Sequence, residues 1–377
     1  MTPARRYIRV ARPRINHNHD RLSPHSPVSR RHRVGDPYAS AVAVCDRAPD
    51  WARAAAIGVA LNTHPTPSDR PPAGVGTRLF VTRPDGRRLE VIDAGPPDCV
   101  ALVLCHGTPG SGLLFGGWAE ACAARGVRLI GYSRPGYGGS TRQPERTAAD
   151  CAGDVSAIAD ALGADSLLVA GHSGGGPHAL ACAALLPERV LAAAVIAGAA
   201  PLTASGLDWF ADQHPENIAE FRAAQSGGAA LVALLKQWRA ELTATPSEAA
   251  SEAEPTAAKD GGGAESFISE ADRDATTPEN AAFAAARRGH ALRAGIWGWY
   301  DDDITETVPW GFDPAAITGP VSVWHGAQDR FVPLAHGRWL AATIPRARSH
   351  LLAGEGHYSI LEARLGDVVN DLLELSG

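Results

Sequence analysis

Short apolar runs, repeated along the chain and separated by helix-like patterns, constrain this sequence more than any other feature. Residues 99–105 and 127–132 are nearly continuous apolar runs, and 166–171, 190–197 and 321–325 read as further strands of the same kind. A sheet with one face in water would alternate apolar and polar residues, whereas unbroken runs require cover on both faces. The cover is legible between the runs. Val155, Ile158, Ala159 and Leu162 recur at i, i+3, i+4 and i+7, and 176–186 and 335–344 read as helices. A strand at 349–352 precedes a final helix whose apolar face includes Leu361, Leu365, Val368, Val369 and Leu372. Strands alternating with helices predict an α/β fold, a mostly parallel sheet with helices on both faces. Residues 78–82 and 88–93 flank the turn signal Pro84-Asp85-Gly86, so this first pair is expected to form an antiparallel edge.

The strand–helix alternation occupies residues 75–200 and 317–377. Two stretches depart from it. Residues 1–74 are rich in Arg, Pro, His and Ser, with one helix candidate at 39–60, and are expected to form a disordered extension because they bury too little apolar surface to offset ordering entropy. Their His17-Asn18-His19-Asp20 cluster lacks a second ligand group at a useful spacing, so no metal site is expected. Residues 201–316 are too long for a loop and carry an apolar stripe of Leu231, Leu234, Leu235, Trp238 and Leu242. They also hold Trp209, Trp238, Trp297, Trp299 and Trp310, and read as a helical cap inserted between two strands. Within it, 244–265 has no periodicity and is expected to be a solvated loop.

The longest apolar run, 190–202, spans 13 residues, short of the roughly 20 needed to cross a bilayer, and no secretory signal is apparent. The net charge of −6 argues against nucleic acid as a partner, although nine Arg face a single acid, Asp20, within residues 1–34. The cysteines at 45, 99, 105, 122, 151 and 182 are scattered, which suggests buried thiols in a reducing compartment and a cytoplasmic location.

Three motifs carry chemistry. Gly171-His172-Ser173-Gly174-Gly175 follows an apolar strand and opens a helix, the setting that exposes a nucleophilic serine on a sharp turn. A glycine-rich turn with a capping serine is the plainer alternative. A serine hydroxyl needs a base. Asp329 lies just past the strand at 321–325, and His357 just past the strand at 349–352, so both belong at the strand ends where Ser173 lies. Asp208 and Glu355 are weaker candidates for the acid, the first displaced into the insertion and the second too close in sequence to His357. His106-Gly107-Thr108-Pro109-Gly110 follows the third strand, where a loop is expected to help bind a developing oxyanion. Pro109 has no N–H, so the candidate donors are the amides of Thr108 and Gly174.

With these motifs, Arg134-Pro135-Gly136-Tyr137-Gly138-Gly139-Ser140, 326–333 and Gly356-His357, the sequence from about 75 to 377 resembles the α/β-hydrolase superfamily in its cap-containing branch. The 134–140 segment resembles a loop after the fourth strand of that family, a structural turn near the pocket. The resemblance implies the catalytic set Ser173, Asp329 and His357, an oxyanion hole at Thr108 and Gly174, and supporting positions His106, Gly107, Gly171 and Gly175. It implies no cofactor and no metal. Family epoxide hydrolases and haloalkane dehalogenases use a carboxylate nucleophile, and a serine stands at 173 here. The expected activity is therefore serine hydrolysis of an ester or related acyl bond in a small apolar substrate. Proline iminopeptidases of the family carry a similar His-Gly-Gly-Pro-Gly loop, which keeps an aminopeptidase open. In that case Asp301, Asp302, Asp303 or Glu306 would hold a substrate amino group, against the simpler reading of a solvated charge run. Carbon–carbon bond hydrolysis, cofactor-free haloperoxidase activity and a non-catalytic ligand-binding role also remain open, although a pure binder has no need of all three residues.

Overall fold

A computed structural model of the chain describes residue 71, residues 73–243 and residues 267–377. The expected extension, apart from its last residues, lies outside the described residues, together with its His17–Asp20 cluster and Cys45. So does the loop expected at 244–265.

The described chain opens with β1 (Thr77–Thr82) and β2 (Arg88–Ala94), an antiparallel hairpin in which Val81 faces Leu89. Its turn closes through Gly86, whose N–H donates to the Arg83 carbonyl (2.9 Å) at a φ of +83°. There follow β3 (Val100–Cys105), α1 (Gly116–Ala123), β4 (Val127–Tyr132), α2 (Asp150–Ala161), β5 (Leu167–His172), α3 (Gly176–Leu185) and β6 (Val190–Ile196). Among the described residues, five α-helices come before the sheet resumes: α4 (Pro215–Ser226), α5 (Gly228–Thr243), α6 (Glu270–Ala275), α7 (Pro278–Ala291) and α8 (Trp297–Thr307). The chain closes with β7 (Val321–Gly326), α9 (Leu334–Thr343), β8 (Arg348–Leu352) and α10 (Ser359–Ser376).

The eight strands form one sheet in the order β1-β2-β4-β3-β5-β6-β7-β8. β2 pairs antiparallel with both β1 and β4, and every other pairing is parallel. The expected α/β class and its antiparallel edge are thus observed. Successive side chains of a strand point to opposite faces, so each central strand feeds two cores. Val103, Leu167 and Val169 join one core with Val155, Ile158 and Leu180, on the side of α2 and α3. Leu102, Leu104, Leu168 and Ala170 join the other with Trp118, Leu365, Val368 and Leu372, on the side of α1 and α10. The five apolar residues read from the final helix are all buried, each contributing roughly 1.5–3 kcal/mol.

The helices between β6 and β7 have their own apolar centre, in which Leu231, Leu235, Leu292 and Trp299 pack with Tyr137 of the loop after β4. Two of them are started by reciprocal caps. The Ser269 hydroxyl accepts from the Asp272 amide while Asp272 accepts back from the Ser269 amide, and Thr277 and Asn280 do the same for α7, with Pro278 at its first position. Among the described residues no helix is long and apolar enough to cross a membrane. Cys105, Cys122, Cys151 and Cys182 are buried free thiols, whereas Cys99, expected to be buried, is only partly so because it lies just before β3 begins.

Candidate active site

β5, β6, β7 and β8 run parallel, so the loops after β5, β7 and β8 emerge at one edge of the sheet. Ser173 follows β5 directly, with φ at +53°, a left-handed conformation that is costly for a residue with a side chain. The turn is tight enough that a side chain on Gly171 would strike the Gly175 carbonyl, and one on Gly175 the Cys105 carbonyl. Close approach of backbone, not conformational freedom, therefore demands glycine at both positions.

Asp329 and His357 come together from the other two strand ends. The His357 Nδ1–H donates to Asp329 Oδ2 at 2.8 Å, with both residues buried. The second oxygen, Asp329 Oδ1, accepts the amides of Phe331 and Val332, each at 2.8 Å, so the carboxylate has one orientation available. The Phe331 ring stacks on the His357 imidazole with centroids 4.7 Å apart. His172, the residue before Ser173, packs against the same imidazole at 4.9 Å, and its Nε2–H donates to the His357 carbonyl (2.9 Å). Burial and the neighbouring His357 hold His172 well below the usual histidine range, so it stays neutral. The alternative acids are elsewhere. Asp208 is exposed, and Glu355 accepts from Ser359 (2.7 Å) and Arg364 (2.7 Å).

The loop after β3 lies against the elbow. A side chain on Gly107 would meet the Ser173 Cβ at 3.3 Å, and one on Gly174 would collide with the Thr108 side chain. The amides of Thr108 and Gly174 thus belong to adjoining residues beside Ser173. His106 is structural: its Nδ1–H donates to the Gly107 carbonyl (2.7 Å) and its Nε2 accepts from the Arg134 amide (3.1 Å). Burial and the Arg134 charge keep it neutral. A cleft of about 450 Å³ lined by Phe115, Gly117, Glu279 and Glu362, among others, includes none of these residues.

A family model described as the alpha/beta hydrolase fold matches residues 100–363. The chain belongs to the α/β-hydrolase family. Its relatives include epoxide hydrolase B of Mycobacterium tuberculosis, 32% identical over 127 residues covering 32% of this chain and 35% of that protein. Another is a bifunctional esterase/perhydrolase of Acinetobacter calcoaceticus, 31% identical over 32% of this chain and 45% of the relative. The chain therefore spans well under two thirds of the curated relatives it matches. Among solved structures it is similar in fold to a hydrolase from Pseudomonas aeruginosa, with a TM-score of 0.56, 19% identity and coverage of 80% of this chain and 99% of that one. It is likewise similar to an esterase from Rhodococcus, with a TM-score of 0.53, 19% identity and coverage of 79% and 99%.

This α/β-hydrolase carries one feature that overturns a sequence expectation. Asp301, Asp302, Asp303 and Glu306 do not form a solvated run; all four are buried along α8. Successive helical residues point about 100° apart, so each acid meets different neighbours. Asp301 receives two hydrogen bonds of 2.8 Å from Arg142. Asp302 is paired with Arg134 (2.5 Å) and Arg146 (2.7 Å), and accepts from Tyr137 (2.8 Å) and the Thr108 hydroxyl (2.7 Å). Burial alone would raise the Asp302 carboxyl, but the two guanidinium groups hold it well below the usual range. Asp303 shares a hydrogen bond with Glu220, and burial raises both. Burial pushes Glu306 up to about 8.

Arg134 also donates to the His106 carbonyl and, at 3.1 Å, to the Thr108 hydroxyl. The Arg134–Asp302 pair therefore clamps the Thr108 loop to α8, a role missed in the sequence. The signal available was an Arg opening the 134–140 segment and an acid among aromatics at 297–303. His178 is a second missed residue: its Nδ1–H donates to the Gly174 carbonyl (2.9 Å), fixing that peptide from the first turn of α3. The tryptophans between β6 and β7 are largely used in packing. Trp209 donates to the Ala200 carbonyl (2.7 Å), Trp299 to Glu220 (2.6 Å), and Trp310 joins the main core.

Proposed function

We propose that this chain is a serine hydrolase that cleaves a carboxylic ester or related acyl bond of a small, apolar substrate. The observation that carries the reading is the oriented Asp329–His357 pair, held at the same sheet edge as Ser173 in its strained turn. In this reading Ser173 attacks the substrate carbonyl while His357 accepts its proton, and Asp329 fixes the imidazole tautomer and stabilises the imidazolium. The amides of Thr108 and Gly174 receive the oxyanion. His357 returns the proton to the leaving alcohol, and then deprotonates the water that releases the acyl group. No metal and no organic cofactor enters these steps.

The aromatic rings beside His357 support an apolar acyl or alcohol group. Phe331 stacks on Phe267 at 4.7 Å and contacts Tyr358 at 5.2 Å. We read residues 201–316 as a cap over this edge, and the buried thiols as those of a cytoplasmic protein. The serine at 173, in place of a carboxylate, argues against epoxide opening, although the relatives include epoxide hydrolases. An amino-group subsite on α8 loses Asp301 and Asp302, whose charges are met by arginines. The test is turnover of short- and medium-chain p-nitrophenyl esters by the wild type and Ser173→Ala. The variant is expected to fold normally and lose activity by about 10⁴-fold or more. Retained activity would place the nucleophile elsewhere.

A further inference from the structure

The backbone of His357 is gripped from two sides, and one grip comes from outside the hydrolase sheet. Asp272, on α6 in the segment between β6 and β7, is fully buried. Its Oδ2 accepts the His357 amide (3.2 Å), and its Oδ1 accepts the amides of Tyr358 (2.8 Å) and Ser359 (2.9 Å). Ser269 completes the set, its hydroxyl donating to Oδ2 at 2.8 Å and its amide at 3.4 Å. Three consecutive amides at the start of α10 thus converge on one carboxylate, the arrangement in which a negative charge at a helix N-terminus is best stabilised. Gly356 is part of the same fit. A Cβ there would collide with the Ser269 hydroxyl and lie 2.5 Å from both carboxylate oxygens, so the seat of Asp272 beside His357 leaves room only for glycine at 356.

From the opposite side, His172 donates to the His357 carbonyl, while Asp329 holds the ring through Nδ1. The His357 amide, carbonyl and imidazole are therefore fixed by three side chains: one from the insertion, one from the elbow and one from the β7 end. We infer that Asp272 is a positioning residue for the catalytic base. Through it, the helices between β6 and β7 set the angle at which His357 meets Ser173, and its negative charge at the His357 amide favours the imidazolium formed during catalysis. The inference rests on the reading of Ser173 and His357 as nucleophile and base.

The experiment is the pH dependence of kcat/KM for ester hydrolysis by wild type, Asp272→Asn, Ser269→Ala and Asp274→Asn, each normalised to active sites by stoichiometric labelling with a fluorophosphonate. An Asn side chain keeps one acceptor but turns an NH₂ toward amides that must donate, and removes the charge. Asp272→Asn is expected to lower kcat by about 10- to 100-fold with KM within about threefold, and to move the acidic-limb midpoint, where the base loses its proton, to lower pH. Ser269→Ala, which weakens the hold on Asp272 without replacing it, gives a smaller change in the same direction and keeps the test usable if Asp272→Asn fails to fold. Asp274→Asn, on the exposed side of the same helix, leaves both readouts unchanged. A purely structural Asp272 would reduce the number of active sites and leave kcat per site and the pH profile where they were, which overturns the inference. Failure of the wild type to label at Ser173 overturns the catalytic reading itself, and the two failures are thereby distinguished.

Discussion

Replacing Asp302 by Asn isolates the clamp between α8 and the Thr108 loop. The carboxylate carries two ion pairs, to Arg134 and Arg146, and all three side chains are within 2% of complete burial. Removing the charge leaves two guanidinium groups buried without a counter-charge. Breaking a buried pair in this way costs about 3–5 kcal/mol, far more than the net worth of the intact pair. At roughly 2 °C per kcal/mol for a domain of this size, the thermal midpoint should fall by about 6–10 °C. The neighbouring Asp301→Asn is the internal control. Its partner Arg142 is 32% exposed and stacks over Trp297 at 4.3 Å, so the stranded charge reaches water and the loss should stay near 1 kcal/mol. The two variants are compared by differential scanning calorimetry at pH 7 and by ester kinetics. Because Asp302 also holds the Thr108 hydroxyl, its loss should lower kcat more than it raises KM. The sign with pH is fixed as well: a carboxyl held well below its unfolded value of 3.8 stabilises above that pH, and the contribution fades as pH falls below about 4. A midpoint drop under about 2 °C, or equal losses for Asp302→Asn and Asp301→Asn, would refute the clamp.

Two other outcomes follow from the same geometry. Gly175→Ala drives a methyl group into the Cys105 carbonyl, and should cost about 3 kcal/mol or more or abolish folding, as read by urea denaturation; a loss under about 1 kcal/mol contradicts the tight elbow. Glu306, pushed up to about 8 by burial, binds its proton in the folded state over a range where the unfolded chain has lost it. Its contribution therefore declines as pH rises from about 4.5 to about 8, by a few kcal/mol at most. Glu306→Gln should flatten the fall in thermal midpoint across that window, and an unchanged slope would show that Glu306 is not buried as a neutral acid.

Much of this architecture was legible because its determinants are local. Buried parallel strands leave unbroken apolar runs, and Ser173, Asp329 and His357 fall in that order just past the ends of β5, β7 and β8. The α8 acids were misread for an opposite reason. Asp301, Asp302 and Asp303 are adjacent in sequence, yet their partners Arg142, Arg134, Arg146 and Glu220 lie 80 to 170 residues away, and nothing in the local pattern marks a charge that will be buried. Asp272 was hidden in the same manner. Its Ser269-x-x-Asp272 spacing signals a helix start, but the use of that carboxylate by the His357 loop depends on how α6 packs against the start of α10.

The central claim is that Ser173 is an activated nucleophile, and covalent labelling tests it most directly. Intact mass would be measured after exposure of wild type and Ser173→Ala to an alkyl fluorophosphonate, followed by peptide mapping. The account predicts a single adduct on wild type, located at Ser173, and none on the variant. A folded wild type that takes up no label, or a label that persists in Ser173→Ala, would contradict it.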